Sequence, residues 1–176
     1  GAEQDLTNNM DSDSNQIGAN ADLSITKTDG VAQYDGLLGA VNITGNNDHV
    51  YVAAQQENAI GIFSRENDSN LMSFGDLAFV NSVSNGAAGV SGLLAVSDVL
   101  LSSDGLTLYA AGSGDNSVVA FRRDLQSGNL TFLEKQSSGV FGVEGLEGVN
   151  ALAISEDGSH LYASAPLTGS LTVFSI

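Results

Sequence analysis

Oxygen-bearing side chains recur at alternate positions near the start of the chain. Such a pattern can wrap one hard cation, and the spacing resembles a calcium-binding loop that ends at its twelfth position. The ligands would be Asp11, Asp13, Asn15 and Asp22. Gln16 stands where these loops have glycine, and no helical periodicity flanks the segment. Because Asn, Asp, Ser and Gln dominate residues 1–20, the sequence favours a flexible acidic tail there, and calcium is the one cofactor it suggests.

Histidine and arginine occur at equivalent places in different parts of the chain. His49 and His160 each follow a polar turn, while Arg65 and Arg123 each end an apolar strand beside an acidic residue. Neither histidine has further metal ligands close by in the sequence, so we expect turn positions rather than a metal site. For the arginines we expect ion pairs at a sheet edge. The alternative is capture of a carboxylate or a sugar acid.

No catalytic constellation is recognisable in the sequence. A Ser-His-Asp order, a phosphate-binding glycine loop and a carboxylate pair at a distinguishing spacing are all missing. Tyr51, Tyr109 and Tyr162 could stack on a sugar ring, but on the middle strand of a sheet their rings are expected to fill the core. The sequence therefore favours a protein without enzymatic activity.

The composition excludes several classes of partner. The chain has 21 acidic and only 5 basic residues, a formal net charge of −16, so its surface repels nucleic acid and anionic lipid. It has no cysteine, which rules out disulfides and thiolate metal sites. No apolar run is long enough for membrane insertion. The chain opens with Gly1 and without an initiator Met, so we expect a processed, excised or tagged product.

An internal repeat organises these residues. Two markers keep the same spacings, 58 and then 53 residues, across three copies: the tyrosines Tyr51, Tyr109 and Tyr162, and the phenylalanines Phe63, Phe121 and Phe174. The copies span about residues 36–90, 91–143 and 144–176, within one unit over residues 21–176. Repeats of roughly fifty residues are typical of propeller blades.

Each copy predicts four short strands, a to d, joined by polar turns. Strand b carries the tyrosine and strand c the phenylalanine, and strand d of the first copy is expected at Leu71–Val80. With 21 glycines, 1 proline and no helical periodicity, the predicted fold is all-β, a β-propeller unit of three four-stranded antiparallel blades. Alternation along the strands predicts a packed set: Val50, Val52, Ile60, Ile62, Leu108, Val119, Phe121, Leu161, Val173 and Phe174.

The third copy stops after strand c, and a matching strand d is found at residues 22–28 instead. Because propeller rings carry about 4–8 blades, three blades should be part of a larger propeller or be completed by self-assembly. We expect the N-terminal strand to be donated to the edge of the last blade, in a ring or a fibre. The residues expected at that contact are Leu23 and Ile25 on one side and Leu171 and Val173 on the other.

The second copy carries recognisable motifs. Ser102-Ser103-Asp104-Gly105 precedes its tyrosine strand, Gly114-Asp115-Asn116-Ser117-Val118 precedes its phenylalanine strand, and Ser127-Gly128-Asn129-Leu130 follows it. These motifs resemble the lactonase-like β-propeller repeats of bacterial secreted and surface proteins. The resemblance covers roughly residues 23–176 and implies a propeller fold and a location outside the cell or at its surface. It implies little about chemistry, because function resides in sites rather than in folds.

Three functions follow as hypotheses. The leading one is an extracellular, non-enzymatic structural or interaction module whose partner is a second copy of itself. A lectin-like propeller that binds carbohydrate in pockets between blades is the first alternative. The second is a lactonase-like hydrolase, which the resemblance alone suggests.

Overall fold

The computed structural model describes residues 37–176 and, in addition, the backbone of two short strands. These two strands, β1 (Asp13–Gln16) and β2 (Asp22–Ile25), form an antiparallel pair. They belong to a separate compact unit, residues 1–33, while the other unit spans residues 34–176. β1 lies inside the predicted acidic tail, and the rest of that tail is outside the described residues.

The larger unit consists of three antiparallel sheets whose strands follow one another in chain order. Blade 1 contains β3 (Ala40–Gly45), β4 (His49–Ala54), β5 (Ala59–Arg65) and β6 (Leu77–Ser84). Blade 2 contains β7 (Val96–Leu101), β8 (Thr107–Gly112), β9 (Ser117–Arg123) and β10 (Leu130–Ser137). Blade 3 contains β11 (Ala151–Ile154), β12 (His160–Ala165) and β13 (Ser170–Ser175).

These sheets confirm the predicted all-β propeller unit. The described residues contain no helix, and therefore none with the length and apolar character to cross a membrane. Blades 1 and 2 have four strands each, whereas blade 3 has three among the described residues, with β13 at its edge. Leu23 and Ile25, expected to pair with β13, are opposite Asn15 and Asp13 of β1 in this structure. Their pairing with β13 stays a prediction.

The predicted fourth strand of blade 1 was placed too early in the chain. The sequence predicts it at Leu71–Val80, but β6 begins at Leu77 and continues to Ser84. Successive turns before it, with N–H bonds from Leu71 to the Asp68 carbonyl and from Phe74 to the Leu71 carbonyl, keep the chain from pairing with β5. An apolar stretch that closes into turns cannot also form a ladder.

Apolar side chains of neighbouring blades pack face to face. Tyr51, Ile60 and Ile62 of blade 1 are fully buried against Leu108 and Phe121 of blade 2. A second cluster, which includes Val118, Leu146 and Leu161, joins blades 2 and 3. Six of the ten predicted core residues are buried: Ile60, Ile62, Leu108, Val119, Phe121 and Leu161. Three more are half-buried: Val50, Val52 and Phe174.

Val173 is the one wrong prediction in that set, because 51% of it is exposed. It is opposite Tyr162 in the sheet, on the face of blade 3 that points away from blade 2, while Phe174 is opposite the buried Leu161. Alternation along a strand assigns two faces but does not say whether a neighbouring sheet covers each of them.

Side-chain oxygens link the first strands of consecutive blades. Asn42 Oδ1 of blade 1 accepts the Val99 N–H of blade 2 at 3.2 Å, and Asp98 Oδ2 of blade 2 accepts the Leu152 N–H of blade 3 at 2.6 Å. Asn42 and Asp98 are equivalent, since each is the first paired residue after a bulge in its strand, opposite Ala53 and Ala111 respectively. Burial raises the pKa of Asp98, and its backbone hydrogen bonds oppose that rise.

A second link joins the b–c turn of one blade to the segment before the next blade. Asn58 Oδ1 accepts the Ala95 N–H at 2.6 Å, and Asn116 Oδ1 accepts the Gly148 N–H at 2.8 Å. Both asparagines have left-handed backbones, with φ of 53° and 51°. Asparagine tolerates that conformation better than most residues, so the same residue can form the turn with its backbone and hold the next blade with its side chain.

A buried arginine completes the junction between blades 1 and 2. Arg123 at the end of β9 is 4% exposed, and its Nε donates to the Tyr51 hydroxyl at 2.7 Å. Its Nη1 donates to the Gly105 carbonyl at 3.1 Å, and its Nη2 lies 2.7 Å from His49 Nδ1. The Tyr51 hydroxyl in turn donates to the Gly128 carbonyl at 2.8 Å. The predicted edge ion pair is therefore wrong for Arg123, because the neighbouring blade covers this strand end.

The tautomer of His49 follows from this contact. A guanidinium has no acceptor, so Nδ1 of His49 must accept and its ring proton resides on Nε2. Burial, and then the charge of Arg123, lower the pKa of His49, while Asp48 and Asp124 oppose the shift. His49 is thus held neutral as part of the junction, which agrees with the predicted structural role.

The first prediction concerns Arg123. Replacing it by methionine (Arg123→Met) should lower the free energy of unfolding by about 2–3 kcal/mol, because charge-assisted hydrogen bonds are lost in a buried place. Urea unfolding of the full chain measures it. The matched control is Arg122→Met, which removes the same charge from an exposed neighbour and should change stability little. Equal losses in the two variants would contradict a structural role for the buried guanidinium.

The second prediction concerns pH. Because the folded state lowers the pKa of His49, the unfolded chain takes up the proton first, and stability should be constant above about pH 6.5 and fall as the pH decreases below it. Asp124, whose pKa is lowered by its bonds to Ser127, stays charged in that range. His49→Gln should flatten the pH dependence between pH 7 and 5, whereas His160→Gln, at an exposed position, should leave it unchanged. A profile unaffected by His49→Gln would refute the assignment.

Candidate functional site

A cavity of about 400 Å³ lies between blades 2 and 3. Two polar turns, strand β8 and the residue after β13 form its walls. The lining residues are Ser102, Ser103, Asp104, Thr107, Tyr109, Ile154, Asp157, Gly158 and Ile176. Its volume is within the range of about 300–1,000 Å³ that is typical of small-molecule sites.

The two turns at the cavity have the same construction. In the first, Asp104 Oδ1 accepts from the Ser102 hydroxyl at 2.6 Å, and the Gly105 N–H donates to the Ser102 carbonyl at 2.9 Å. In the second, Asp157 and Gly158 occupy the same places, and the Gly158 N–H donates to the Ser155 carbonyl at 2.9 Å. Both glycines have a positive φ, 71° and 70°, which the tight reversal of the chain requires.

The cavity carries negative charge. Hydrogen bonds from Ser102 and from the Leu106 N–H lower the pKa of Asp104, and bonds from Ser155 and Ser159 lower the pKa of Asp157 to about 2. Both carboxyl groups are therefore ionised at neutral pH. No lysine or arginine is among the lining residues. Burial, and then the nearby Asp104, raise the pKa of Tyr109, so its hydroxyl stays protonated.

The cavity is at the place that Arg123 fills in the preceding junction. Tyr109 and Gly158 are equivalent to Tyr51 and Gly105, which hold the Arg123 guanidinium. Ile176 is equivalent to Arg123 itself, since the Ile176 N–H donates to the Ser159 carbonyl as the Arg123 N–H donates to the Leu106 carbonyl. The second junction thus has the tyrosine, the turn and the carbonyl, with an apolar side chain where the first has a guanidinium.

The outer face of blade 3 is a second candidate site. Leu171 is 66% exposed and Val173 is 51% exposed. They are opposite Ser164 and Tyr162, in the same register that places Ile60 and Ile62 opposite Ala53 and Tyr51. Ile60 and Ile62 are fully buried beneath blade 2. Leu171 and Val173 therefore occupy positions that a neighbouring blade covers in blade 1.

Blade 1 presents an exposed apolar surface of its own at the other end of the unit. Val41 is 50% exposed and Ile43 is 63% exposed. The position in blade 2 that is equivalent to Ile43 is Val99, which is 2% exposed because blade 1 covers it. Each end of the three-blade unit thus shows one face that is buried in the interior junctions.

The side chains of the predicted calcium site are outside the described part of the chain. Asp11 is not among the described residues, while Asp13, Asn15 and Asp22 are on β1 and β2. The register places Asp22 opposite Gln16 and Asn15 opposite Leu23. Calcium binding there stays a prediction. Within residues 37–176, no group of three or more His, Asp or Glu is arranged to hold a metal.

The remaining predicted residues are separate from one another. His160 is exposed and its ring stacks on Tyr162, with centroids 6.4 Å apart. Arg65 donates to the Asn47 carbonyl at 3.2 Å and lies over the Phe74 ring at 5.0 Å. Sequence reasoning missed the cavity altogether. The feature of the sequence that could have revealed the cavity is the alignment of the copies. It places Ile176 at the position of Arg123 and keeps the tyrosine and the turn, as Tyr109 and Gly158.

Comparison with known proteins identifies the repeats. Residues 72–142, less than half of the chain, match the family model "Lactonase, 7-bladed beta-propeller". No curated protein is similar enough to be counted as a relative. Solved structures are similar, and 132 chains match.

Three of these structures illustrate the similarity. A functionally unknown protein from Desulfotomaculum acetoxidans has a TM-score of 0.63 and 23% identity, over 88% of this chain and 44% of that one. A provisionally named 6-phosphogluconolactonase from Bacteroides uniformis has a TM-score of 0.66 and 18% identity, over 87% and 40%. The periplasmic gluconolactonase of Pseudomonas aeruginosa has a TM-score of 0.57 and 26% identity, over 73% and 32%.

The chain spans less than half the length of each of these three structures. The family match covers the end of blade 1 and nearly all of blade 2, and the structural matches extend over most of the three sheets. The motifs around Asp104, Asn116 and Gly128 are in the matched range. The repeats of this chain therefore form a β-propeller unit, and residues 72–142 are similar in sequence to lactonase-type propeller repeats.

Proposed function

We propose that this chain acts as an interaction module whose three lactonase-like blades associate with further blades, including those of a second copy. The observation that carries the proposal is the exposure of Leu171 and Val173 at positions where Ile60 and Ile62 are fully buried. Two apolar side chains per strand on an uncovered sheet face cost free energy in water, and covering them is the driving force for association.

The two exposed faces are complementary. The outer face of blade 3, with Leu171 and Val173, corresponds to the face of blade 1 that packs on blade 2. The outer face of blade 1, with Ile43, corresponds to the face of blade 2 that packs on blade 1. Joining blade 3 of one copy to blade 1 of another would therefore repeat the apolar packing of an existing junction. Such a head-to-tail contact closes into a ring or continues as a fibre.

The number of blades fits closure by two copies. Two chains would supply six blades, within the range of about 4–8 found in propeller rings. In this proposal the edge of β13 also accepts a strand, and Leu23 and Ile25 of the N-terminal segment are the residues we expect to provide it. The donated strand would give blade 3 a fourth strand, as in blades 1 and 2.

We place the module outside the cytoplasm, in the periplasm or at the cell surface. Two observations support this location. The charge is strongly negative, −16 formally, and there is no cysteine. One of the similar structures is a periplasmic gluconolactonase at 26% identity.

Hydrolysis of a sugar lactone is the second candidate function. It is favoured by the family match over residues 72–142 and by the gluconolactonase names of two similar structures. Because the chain spans 40% and 32% of those two proteins, the reaction would need groups from blades beyond the three described here. Activity should then depend on a completed ring.

The third prediction tests association. The double variant Leu171→Asp, Val173→Asp should shift the particle to the monomer mass in light scattering, because each carboxylate would have to be desolvated at the contact. The control Leu167→Asp adds the same charge at a residue that is 79% exposed in the b–c turn of blade 3, and it should assemble normally. A wild-type chain that is a folded monomer at high micromolar concentration would refute the proposal.

The fourth prediction tests the second candidate. Acid release from glucono-δ-lactone at constant pH, measured with added calcium and with a chelator, should exceed the spontaneous rate in proportion to the assembled protein. The monomeric Leu171→Asp, Val173→Asp variant should lose that excess rate, while Leu167→Asp keeps it. A rate equal to that of buffer alone under both metal conditions would dispose of the lactonase function and leave association untouched.

A further inference from the structure

Two junctions built from the same repeat differ at two positions: Ile176 stands in the place of Arg123, and Thr107 in the place of His49. Between blades 1 and 2, a guanidinium is held by a tyrosine hydroxyl and a turn carbonyl, those of Tyr51 and Gly105. Between blades 2 and 3, the equivalent tyrosine and turn, Tyr109 and Gly158, line a cavity of about 400 Å³. We propose that this cavity is a binding site for a guanidinium or ammonium group, carried by a small molecule or by an arginine side chain.

The chemistry of the lining supports a cation. The Asp104 and Asp157 carboxylates flank the cavity, and no basic residue lines it. Arg123, by contrast, is next to Asp124 and already provides the positive charge of the first junction. An organic cation bound in the cavity would give the second junction a positive charge. In the first junction that charge comes from the Arg123 side chain. Anionic ligands such as sugar acids are disfavoured by the same two carboxylates.

The shape of the acceptors favours a guanidinium over a metal ion. Around Arg123, single acceptors lie in three directions, to Nε, Nη1 and Nη2. The second junction keeps the tyrosine and the turn, as Tyr109 and Gly158, and the Thr107 hydroxyl stands where the first has the His49 ring. A planar guanidinium with five N–H donors matches such a divergent set, and an ammonium with three donors matches it in part. The described residues form no cluster of three metal ligands here.

The side chain at position 176 determines whether the site is open. Ile176 lines the cavity and its side chain carries no donor, so this residue cannot supply the guanidinium that Arg123 supplies in the first junction. A smaller cavity of about 110 Å³ borders Tyr109 and Ile176 as well and is lined by Phe174, Leu161 and Glu134. The two cavities together give space for a cationic head and an aliphatic stem, the two parts of an arginine side chain.

The experiment titrates the 176-residue chain with L-arginine and, as the matched neutral control, L-citrulline. Chemical shifts of the Tyr109 and Gly158 amides are the readout. We expect saturable shifts with L-arginine at a Kd on the order of 1 mM, from about two charge-assisted hydrogen bonds, and binding at least tenfold weaker with L-citrulline. Equal binding of the two would overturn the proposal.

A third compound, Nα-acetyl-arginine methylamide, imitates an arginine within a protein chain and is titrated in parallel. Tighter binding than that of L-arginine assigns the site to an arginine side chain, and weaker binding assigns it to a free molecule.

Two variants separate the site from general attraction to an acidic protein. Ile176→Arg should fill the cavity as Arg123 fills its own, abolish L-arginine binding and raise the melting temperature, while Ile176→Leu should bind as the wild type does. Tyr109→Phe should weaken binding about tenfold, since it removes one acceptor of a charged donor. Undiminished binding by Ile176→Arg would show that the cation is held elsewhere and refute the assignment. The measurement does not depend on association of the chains.

Discussion

Each blade of this protein is a sheet with two apolar faces, and a sheet cannot bury either face by itself. Blade 2 has a neighbour on both sides, and its side chains on the two faces, such as Phe121 towards blade 1 and Val118 towards blade 3, are buried. Blades 1 and 3 have one described neighbour each. The exposure of Ile43 and of Leu171 follows directly, because these positions need a second sheet to cover them.

The sequence predicts most of this fold, because the repeat is visible in residues that the core requires. Tyr51 and Phe121 belong to the two series of aromatic residues that keep the same spacings, and both fill the space between blades 1 and 2, where a change of register would move them to the other face. The errors have local causes. β6 was placed early because turns compete with pairing over Leu71 and Phe74, and Val173 was assigned to the core because a strand pattern does not count neighbouring sheets.

The candidate site was not predictable in the same way. Arg123 has an acidic neighbour in the sequence, Asp124, which suggested an edge ion pair, but two of its hydrogen-bond partners, Tyr51 and His49, are more than seventy positions earlier. The cavity between blades 2 and 3 lies where Ile176 has the position of that arginine and where the tyrosine and the turn are kept, as Tyr109 and Gly158. Such a cavity has no sequence motif of its own. It becomes visible only when the residues of the two junctions are compared position by position.

The polar links between blades show how the contact at the outer face of blade 3 would differ from the interior ones. Asn42 and Asp98 accept N–H groups of the following blade, and Ala151 takes their place in blade 3. Asn58 and Asn116 do the same from the b–c turn, where blade 3 has Gly169.

A blade packed on that face would find no acceptor at these two positions, and water or its own chain would have to satisfy its N–H groups. The contact would then depend on apolar burial by Leu171 and Val173 alone. Each interior junction has similar apolar burial and, in addition, hydrogen bonds that contribute about 1 kcal/mol each. A junction at the outer face of blade 3 would therefore be the weakest of the junctions between blades. An assembly of these blades would dissociate there first.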